Sequence, residues 1–504
     1  MRTKVGVLAV GLLALRAVPA HAQPGADGFS DRPERRSRFG LLRAGATQRV
    51  LEAPMRRALV LAAVVLAAHA GPAFAANPAT VIGEHGVDDG HGIELTISTP
   101  AFSAPTKVQV FLPAGYDAHP ERRWPVTYYV HGAQGDQTRF WPWFGDLIKD
   151  FPSIVVAPDG GWLGWYSDWY NGGAGGAPMY ETFIIHQLIP LIDERFRTLG
   201  TRAGRAIIGE SMGGYGVMTL TTRNPDAFAT AASLSGANDN SSLPITGLIG
   251  GSSTLQGGGQ QQQLAVPFGV YGDPATQAIR WHGHNPPDLA TNLGAVVLQV
   301  RTFDGAPTPV FEGGDPTSIV GCMEENEIHR DNLTFHERLL ADDIPHLWKD
   351  YGPGCHALGE FRQEFADSLP GIESVFRHPP RAPKAFDYES IEPRFSVWGW
   401  RVEADPARAL EFLQMRHAER DGLTLIGSGT TRVTTPAFFS GKGAVRVITS
   451  GGTRTVTPDA DGRLTFTVDL GPPHPDQQDT AASRLHGDGS PGYFTSRTVR
   501  LVPH

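Results

Sequence analysis

At 504 residues, 40% of them hydrophobic, the chain is longer than one typical domain and has enough apolar side chains for full cores, which excludes general disorder. Its 43 basic and 52 acidic residues give a net charge of −9 with no extended basic block in the body of the chain, which argues against nucleic acid as a partner. It has no GxxxxGK[ST] loop and no paired CxxC, so no nucleotide, metal or redox cofactor is expected.

Residues 1–76 contain two signal-like segments, MRTKVGVLAVGLLALRAVPAHA and, from Met55, MRRALVLAAVVLAAHAGPAFA. Each joins basic residues, an apolar stretch and an A-x-A end, and neither apolar run is long enough for a transmembrane helix. The Arg-rich stretch Asp31 to Arg57 between them has no core pattern, so Met55 is expected as the true start of a secreted or cell-wall-associated protein. An oxidising destination permits a disulfide between the two cysteines, Cys322 and Cys355. Closing that 33-residue loop stabilises a fold by about 3–4 kcal/mol in the chain-entropy model.

From Gly92 the segments IELTISTPAFS and KVQVFLPAGY predict an antiparallel strand pair. Short apolar runs (PVTYYVHG, SIVVAPDG, RAIIGES, FATAASLSG, AVVLQVRTF) then alternate with helical stretches such as YETFIIHQLIPLIDERF, where Phe183, Ile184, Leu188, Leu191 and Ile192 recur at helical spacing. That rhythm predicts an α/β domain over 77–378, with a mostly parallel central sheet covered on both faces, as in α/β-hydrolases. The low-complexity stretch Asn238 to Gln263 reads as a surface excursion. HPPRAPKAF opens a linker over 379–394, and 395–504 reads as a smaller all-β, sandwich-like domain, in which Leu464, Phe466, Val468 and Leu470 alternate cleanly. ALEFLQMRH in that region fits strand or helix. Attachment to a cell-wall polymer or to substrate, or stabilisation of the catalytic domain, are equally compatible roles for this extension.

The chemistry centres on RAIIGESMGGYGVMTL, a short strand, a tight turn and a helix opening on small residues. This is the setting of a nucleophile elbow: glycines flank Ser211 so that strand and helix approach closely, and Met212 N–H offers an oxyanion donor. Acyl transfer through serine also needs a base, an acid that orients it, and a second donor. His356, in GPGCHALGEF after the strand-like HLWKDY, is the expected base, and a Cys322–Cys355 bond would pin its loop. For the acid, Asp304 directly after AVVLQVRTF and Glu312 eight residues on carry equal weight; Glu324, Glu325 and Glu327 read instead as acids at a helix start. The strand WPVTYYV ends in His131-Gly132-Ala133-Gln134, which offers Ala133 N–H opposite Met212. The aromatic loop GWLGWYSDWYNGG, with Trp165 among its rings, walls an acyl or sugar pocket or simply packs. His282 and His284 lack the further ligands of a metal site.

HGAQGDQTRFW, GGWLGWYSDWY, YETFIIHQLIP, GESMGGYGVMTL, NPDAFATAASLSG and GPGCHALGEF, in this order between Thr96 and Phe376, resemble the mycobacterial mycolyltransferases (antigen 85) and the wider secreted serine esterases that include them and the esterase D relatives. The resemblance implies an α/β-hydrolase fold with Ser211 as nucleophile, His356 as base and Ala133 and Met212 as oxyanion amides. The family acid falls near VRTFDGAPTPVFEGG, where the match slips, so Asp304 and Glu312 both stand. His131, Gln134, Trp165 and Leu358 are expected to touch substrate. Where the mycolyltransferases carry an arginine and a tryptophan that face trehalose, this chain has Gln134 and Leu358. A serine carboxylesterase acting on a small-molecule or lipid ester is therefore expected first. An acyltransferase to a sugar or glycerol hydroxyl comes second, and a non-catalytic surface-binding protein on a hydrolase scaffold third.

Overall fold

The computed structural model describes residues 77–255, 267–307, 319–441 and 443–503. The two signal-like segments, the proposed start at Met55 and Glu312 lie outside the described residues.

The α/β region is built on nine strands: β1 (Thr80–Val87), β2 (Gly92–Ser98), β3 (Thr106–Phe111), β4 (Val126–Val130), β5 (Ile154–Pro158), β6 (Arg205–Glu210), β7 (Thr230–Leu234), β8 (Val297–Thr302) and β9 (His346–Asp350). They form one sheet in the order β1-β2-β3-β5-β4-β6-β7-β8-β9. The expected β2–β3 pair is antiparallel, with Gly92 opposite Phe111, and β5 through β9 run parallel. Every residue of β4, β5 and β7 is buried, which is why these strands are continuously apolar rather than alternating. One face packs Tyr128, Val130 and Ile207 against Tyr215 and Met218 of the elbow helix, Met212–Arg223. The other packs Tyr129, Ala206 and Ile208 against Phe140, Phe144, Phe361 and Phe365. Phe144 and Phe365 stack with ring centroids 4.4 Å apart. Burying such a ring contributes about 2–3 kcal/mol, so the helix carrying Phe361 and Phe365 (Leu358–Arg377) is firmly seated.

Two local expectations change. The stretch beginning at Asn238 is not wholly a surface excursion, because Leu243–Leu255 forms a helix whose Ile245 and Ile249 are buried in the core. YETFIIHQLIPLIDERF does coil, but Thr182–Leu188 is a π-helical segment that runs into an α-helix at Ile189–Arg195.

The C-terminal region has two antiparallel sheets. The larger holds β10 (Ala385–Ser390), β13 (Leu413–Glu419), β14 (Gly422–Gly427), β16 (Val445–Thr449), β17 (Gly452–Val456) and β19 (Thr495–Pro503); the smaller holds β11 (Arg394–Val397), β12 (Trp400–Glu403), β15 (Thr430–Thr434) and β18 (Thr465–Asp469). Leu464, Phe466, Val468 and Leu470 are all buried in the shared core, as their alternation requires. ALEFLQMRH resolves as strand, in β13. The linker is shorter than 379–394, because β10 pairs with β13 and Ser390 faces Leu413. This module is docked on the catalytic domain. Tyr388 Oη donates to the Arg223 carbonyl at 2.7 Å, Trp398 N–H to Asp226 Oδ2 at 2.8 Å, and the Asn292 side chain bonds the Glu389 backbone in both directions, at 2.9 and 3.0 Å.

Candidate active site

Strand β6 delivers Ser211 into the turn before the elbow helix, with φ 58° and ψ −124°. A non-glycine residue held there costs about 1–3 kcal/mol, which the surrounding packing must supply. The flanking glycines are required by contact: a Cβ on Gly213 would lie 1.9 Å from the Val130 carbonyl oxygen, and one on Gly209 2.3 Å from the same atom. Ser211 itself is only partly buried, so its hydroxyl is accessible at the end of the sheet.

Ser211 Oγ is 2.7 Å from His356 Nε2, and His356 Nδ1 is 2.6 Å from Glu325 Oε2. A carboxylate on Nδ1 selects the tautomer with its proton there, so Nδ1–H donates to Glu325 and Nε2 is left to accept from the serine. Burial is the largest influence on the imidazole and pulls its pKa down. The charge of Glu324, 3.8 Å from Nε2, and the hydrogen bond and charge of Glu325 outweigh it, and the group is pushed up to about 8. The second oxygen of Glu325 accepts Phe303 N–H at 3.0 Å, Thr302 Oγ1 at 3.2 Å and Ser235 Oγ at 2.6 Å. Ser235 Oγ also lies 3.1 Å from Glu364 Oε1. A hydroxyl has one proton to give, so Ser235 cannot fully serve two carboxylates at once, and the arrangement favours Glu364 in its neutral form. Burial first, and the Glu325 charge second, raise Glu364 well above the usual carboxyl range, consistent with that protonated form.

The structure therefore brings Glu325, and not Asp304, to the imidazole. Asp304 Oδ1 accepts Ala306 N–H at 2.7 Å in a local turn. The acid does sit at the end of β8, where the sequence located it, but it arrives from the helix Ile319–Ala341, whose Glu325 reaches back to the Phe303 amide. Cys322 and Cys355 form a disulfide. The pairing of Cys322, three residues before Glu325, with Cys355, one before His356, was the available signal for this carboxylate.

The loop after β4 is fixed at each peptide. The His131 ring is fully buried; its Nε2 accepts Gly160 N–H at 2.8 Å, so its proton is on Nδ1, which donates to the Gly132 carbonyl at 2.8 Å. Burial holds the imidazole down at about 4, hence neutral. In a planar trans peptide the Gly132 carbonyl and the Ala133 N–H point in opposite directions, so anchoring one aims the other. Gly132 N–H donates to Glu210 Oε1 at 2.7 Å, and Arg139 Nη2 donates to the Ala133 carbonyl at 3.1 Å. The loop abuts Ser211, since a Cβ on Gly132 would be 3.1 Å from Ser211 Cβ. Among the described residues neither Ala133 N–H nor Met212 N–H donates to a protein group.

Of the residues expected to touch substrate, His131 lies under the loop and acts on its backbone instead. Trp165 is also a core residue, 1% exposed, with Nε1–H bonded to Ser252 Oγ at 2.7 Å. Gln134 is exposed, with φ 61° and its N–H on the Trp162 carbonyl at 2.7 Å. Leu358 is partly exposed at the start of its helix, two residues beyond His356. Glu210 and Arg139, which bond the backbone of Gly132 and Ala133, had no sequence signal beyond their place beside the two motifs.

Residues 99–371 match the family model described as putative esterase. An esterase of Mycobacterium tuberculosis strain H37Rv is 33% identical over 277 residues, covering 54% of this chain and 56% of the relative. The diacylglycerol acyltransferase/mycolyltransferase Ag85B of Mycobacterium leprae is 30% identical over 219 residues, covering 40% of this chain and 63% of the relative. The chain thus spans under two thirds of the length of these curated relatives. The crystal structure of Mycobacterium tuberculosis MPT51 is similar over 58% of this chain and 99% of that one, at 21% identity and a TM-score of 0.44. By the match that runs from the end of β2 to the helix after His356, the chain belongs to the putative esterase family.

Proposed function

We propose that this protein is a secreted serine carboxylesterase. The observation that carries the reading is the unbroken hydrogen-bond relay Ser211–His356–Glu325 beside two unengaged N–H groups. Ser211 Oγ attacks the ester carbonyl as His356 Nε2 takes its proton, and the carbonyl electrons move onto an oxyanion held by Ala133 N–H and Met212 N–H. Collapse expels the alcohol, which takes the proton from His356, and leaves an acyl-serine. Water then gives a proton to His356 and attacks the acyl carbon, and the acid leaves as the proton returns to Ser211. Glu325 holds the imidazole and offsets its transient charge throughout. Export is supported by the leader-like residues 1–76 and by the Cys322–Cys355 bond, which favours an oxidising compartment. Among the described residues no helix is long and apolar enough to cross a membrane.

The test is hydrolysis of p-nitrophenyl esters of increasing chain length, with Ser211→Ala alongside. Activity lost in the variant supports the serine mechanism, and the chain-length profile describes the acyl pocket. Equal rates in both proteins reject it. The name of the Ag85B relative favours a second reading, transfer of the acyl group to a sugar or glycerol hydroxyl in place of water. Product analysis with and without added polyols separates the two: ester products that grow with polyol identify a transferase, and acid alone identifies a hydrolase.

A further inference from the structure

A cavity of about 630 Å³ lies between the catalytic domain and the hairpin β11–β12, with neither Ser211 nor His356 in its wall. Arg223, the last residue of the 12-residue elbow helix, lines it, so the cavity begins about 18 Å along that helix from the nucleophile. Its volume is in the range of sites that hold small organic ligands.

The hairpin lines this space with Arg394, Ser396, Arg401 and Glu403, together with Phe395 and Val402. Its register pairs Arg394 with Glu403 and Ser396 with Arg401, while the intervening Val397, Trp400 and Val402 are buried in the β core. Period-two alternation therefore sets Arg394, Ser396, Arg401 and Glu403 together on the outer side. Across the cavity Arg280 lies over the Tyr170 ring, 4.4 Å from its centroid, with Gln277 Oε1 as its side-chain partner at 3.0 Å.

The arginines around this cavity are of two kinds. Arg223 is saturated, by Glu181 at 2.8 Å, Glu392 at 2.7 Å and the Gly283 carbonyl at 2.7 Å. Among the described residues Arg280, Arg394 and Arg401 have no acidic partner within ion-pair distance, although the chain as a whole has a net charge of −9. Guanidinium groups left open in this way suit a carboxylate or a phosphate, which they bind through paired N–H donors. A bare anion would leave Glu403 and Ser396 facing it unused or repelling. A ligand bearing hydroxyls beside its anionic group satisfies both.

We propose that this interdomain cavity binds an anionic sugar, with its carboxylate or phosphate on Arg280, Arg394 and Arg401 and its hydroxyls on Glu403 and Ser396, at a site separate from Ser211. The site is independent of the esterase reading. It gives the C-terminal module a role in holding a glycan next to the enzyme.

Isothermal titration of the full chain with trigalacturonate, glucose 6-phosphate and neutral maltotriose tests it, using wild type, Ser211→Ala and the double variant Arg394→Gln/Arg401→Gln. Both arginines are exposed on short strands, so the double variant should melt as wild type does and hydrolyse p-nitrophenyl esters at the wild-type rate. Saturable binding of an acidic sugar, at least tenfold weaker in the double variant and unchanged in Ser211→Ala, is the expected result; which acid binds identifies the anionic group. No binding of either acid, equal affinity in the double variant, or equal binding of maltotriose overturns the proposal. Because Ser211→Ala is scored by binding and not by turnover, failure of the esterase chemistry leaves this result readable.

Discussion

Cys322 and Cys355 join two elements that reach the nucleophile from different parts of the chain: the helix that presents Glu325 three residues after Cys322, and the loop that presents His356 one residue after Cys355. His356 N–H also donates to the Gly321 carbonyl at 3.0 Å, so backbone and disulfide bring base and acid together at one place. Replacing both cysteines by serine should lower stability by about 3–4 kcal/mol. Activity should fall further than the folded fraction alone accounts for, because the His356–Glu325 distance loses its tether. Denaturant titration alongside kcat on the folded protein checks this; a kcat equal to wild type would mean that the disulfide acts on stability only.

Glu325→Gln should cut kcat by about 10²–10⁴-fold, since an amide can present its NH₂ to Nδ1 and favour the wrong tautomer. Asp304→Asn should leave kcat within about threefold of wild type, because among the described residues the Asp304 carboxylate serves a local turn. Steady-state kinetics of the pair assigns the acid, and the reverse pattern would return the role to Asp304.

The pH profile follows from His356, raised to about 8 in the folded protein from an ordinary 6.5. The base works only when neutral, so kcat/KM should climb with pH through about 8 and then level. Glu324→Gln removes a charge that favours the protonated ring and should move that limb to lower pH, while kcat at the plateau stays within about threefold. For stability the sign is opposite: a histidine with a raised folded pKa contributes fully below about 6.5, and that contribution is lost as pH rises through about 8. Rate profiles and urea titrations at several pH values test both directions; a limb that does not move in Glu324→Gln would show that its charge is screened.

His131→Phe removes the only side chain that donates to the Gly132 carbonyl among the described residues, leaving the longer Gly135 N–H bond at 3.3 Å to hold that carbonyl and the Ala133 peptide less firmly aimed. The expected effect is a loss of about 10²-fold in kcat with KM within about threefold, as for the loss of one oxyanion donor. A fall in stability of about 1–3 kcal/mol should accompany it. A variant that folds and keeps its full kcat would show that the loop holds its orientation without the imidazole.

Much of this site was legible in the chain itself. Gly209, Ser211 and Gly213 read as an elbow, because a strand entering a helix around a partly buried serine leaves no room for side chains beside Val130. His356 was marked by its place after the last parallel strand, and the change of apolar period after Pro379 marked where antiparallel strands replace the α/β alternation. These are local properties, set by backbone sterics and by which face of an element meets the core.

The tertiary structure decided what local pattern does not encode. Glu325 looked like one of several acids along a helix, and only packing that helix against the end of β8 turns its carboxylate toward His356. His131 and Trp165 are polar or amphipathic groups beside a catalytic motif, a position that serves substrate contact and core support equally well. Burial against Gly160 and Ser252 settled both for support. The cavity on β11 and β12 has the same origin: Arg394 and Arg401 are ordinary surface residues of a hairpin until packing of the sandwich makes them line one cavity with Arg280. Periodicity fixes which way a side chain leaves its own element, whereas the partner it meets depends on contacts between residues far apart in the chain.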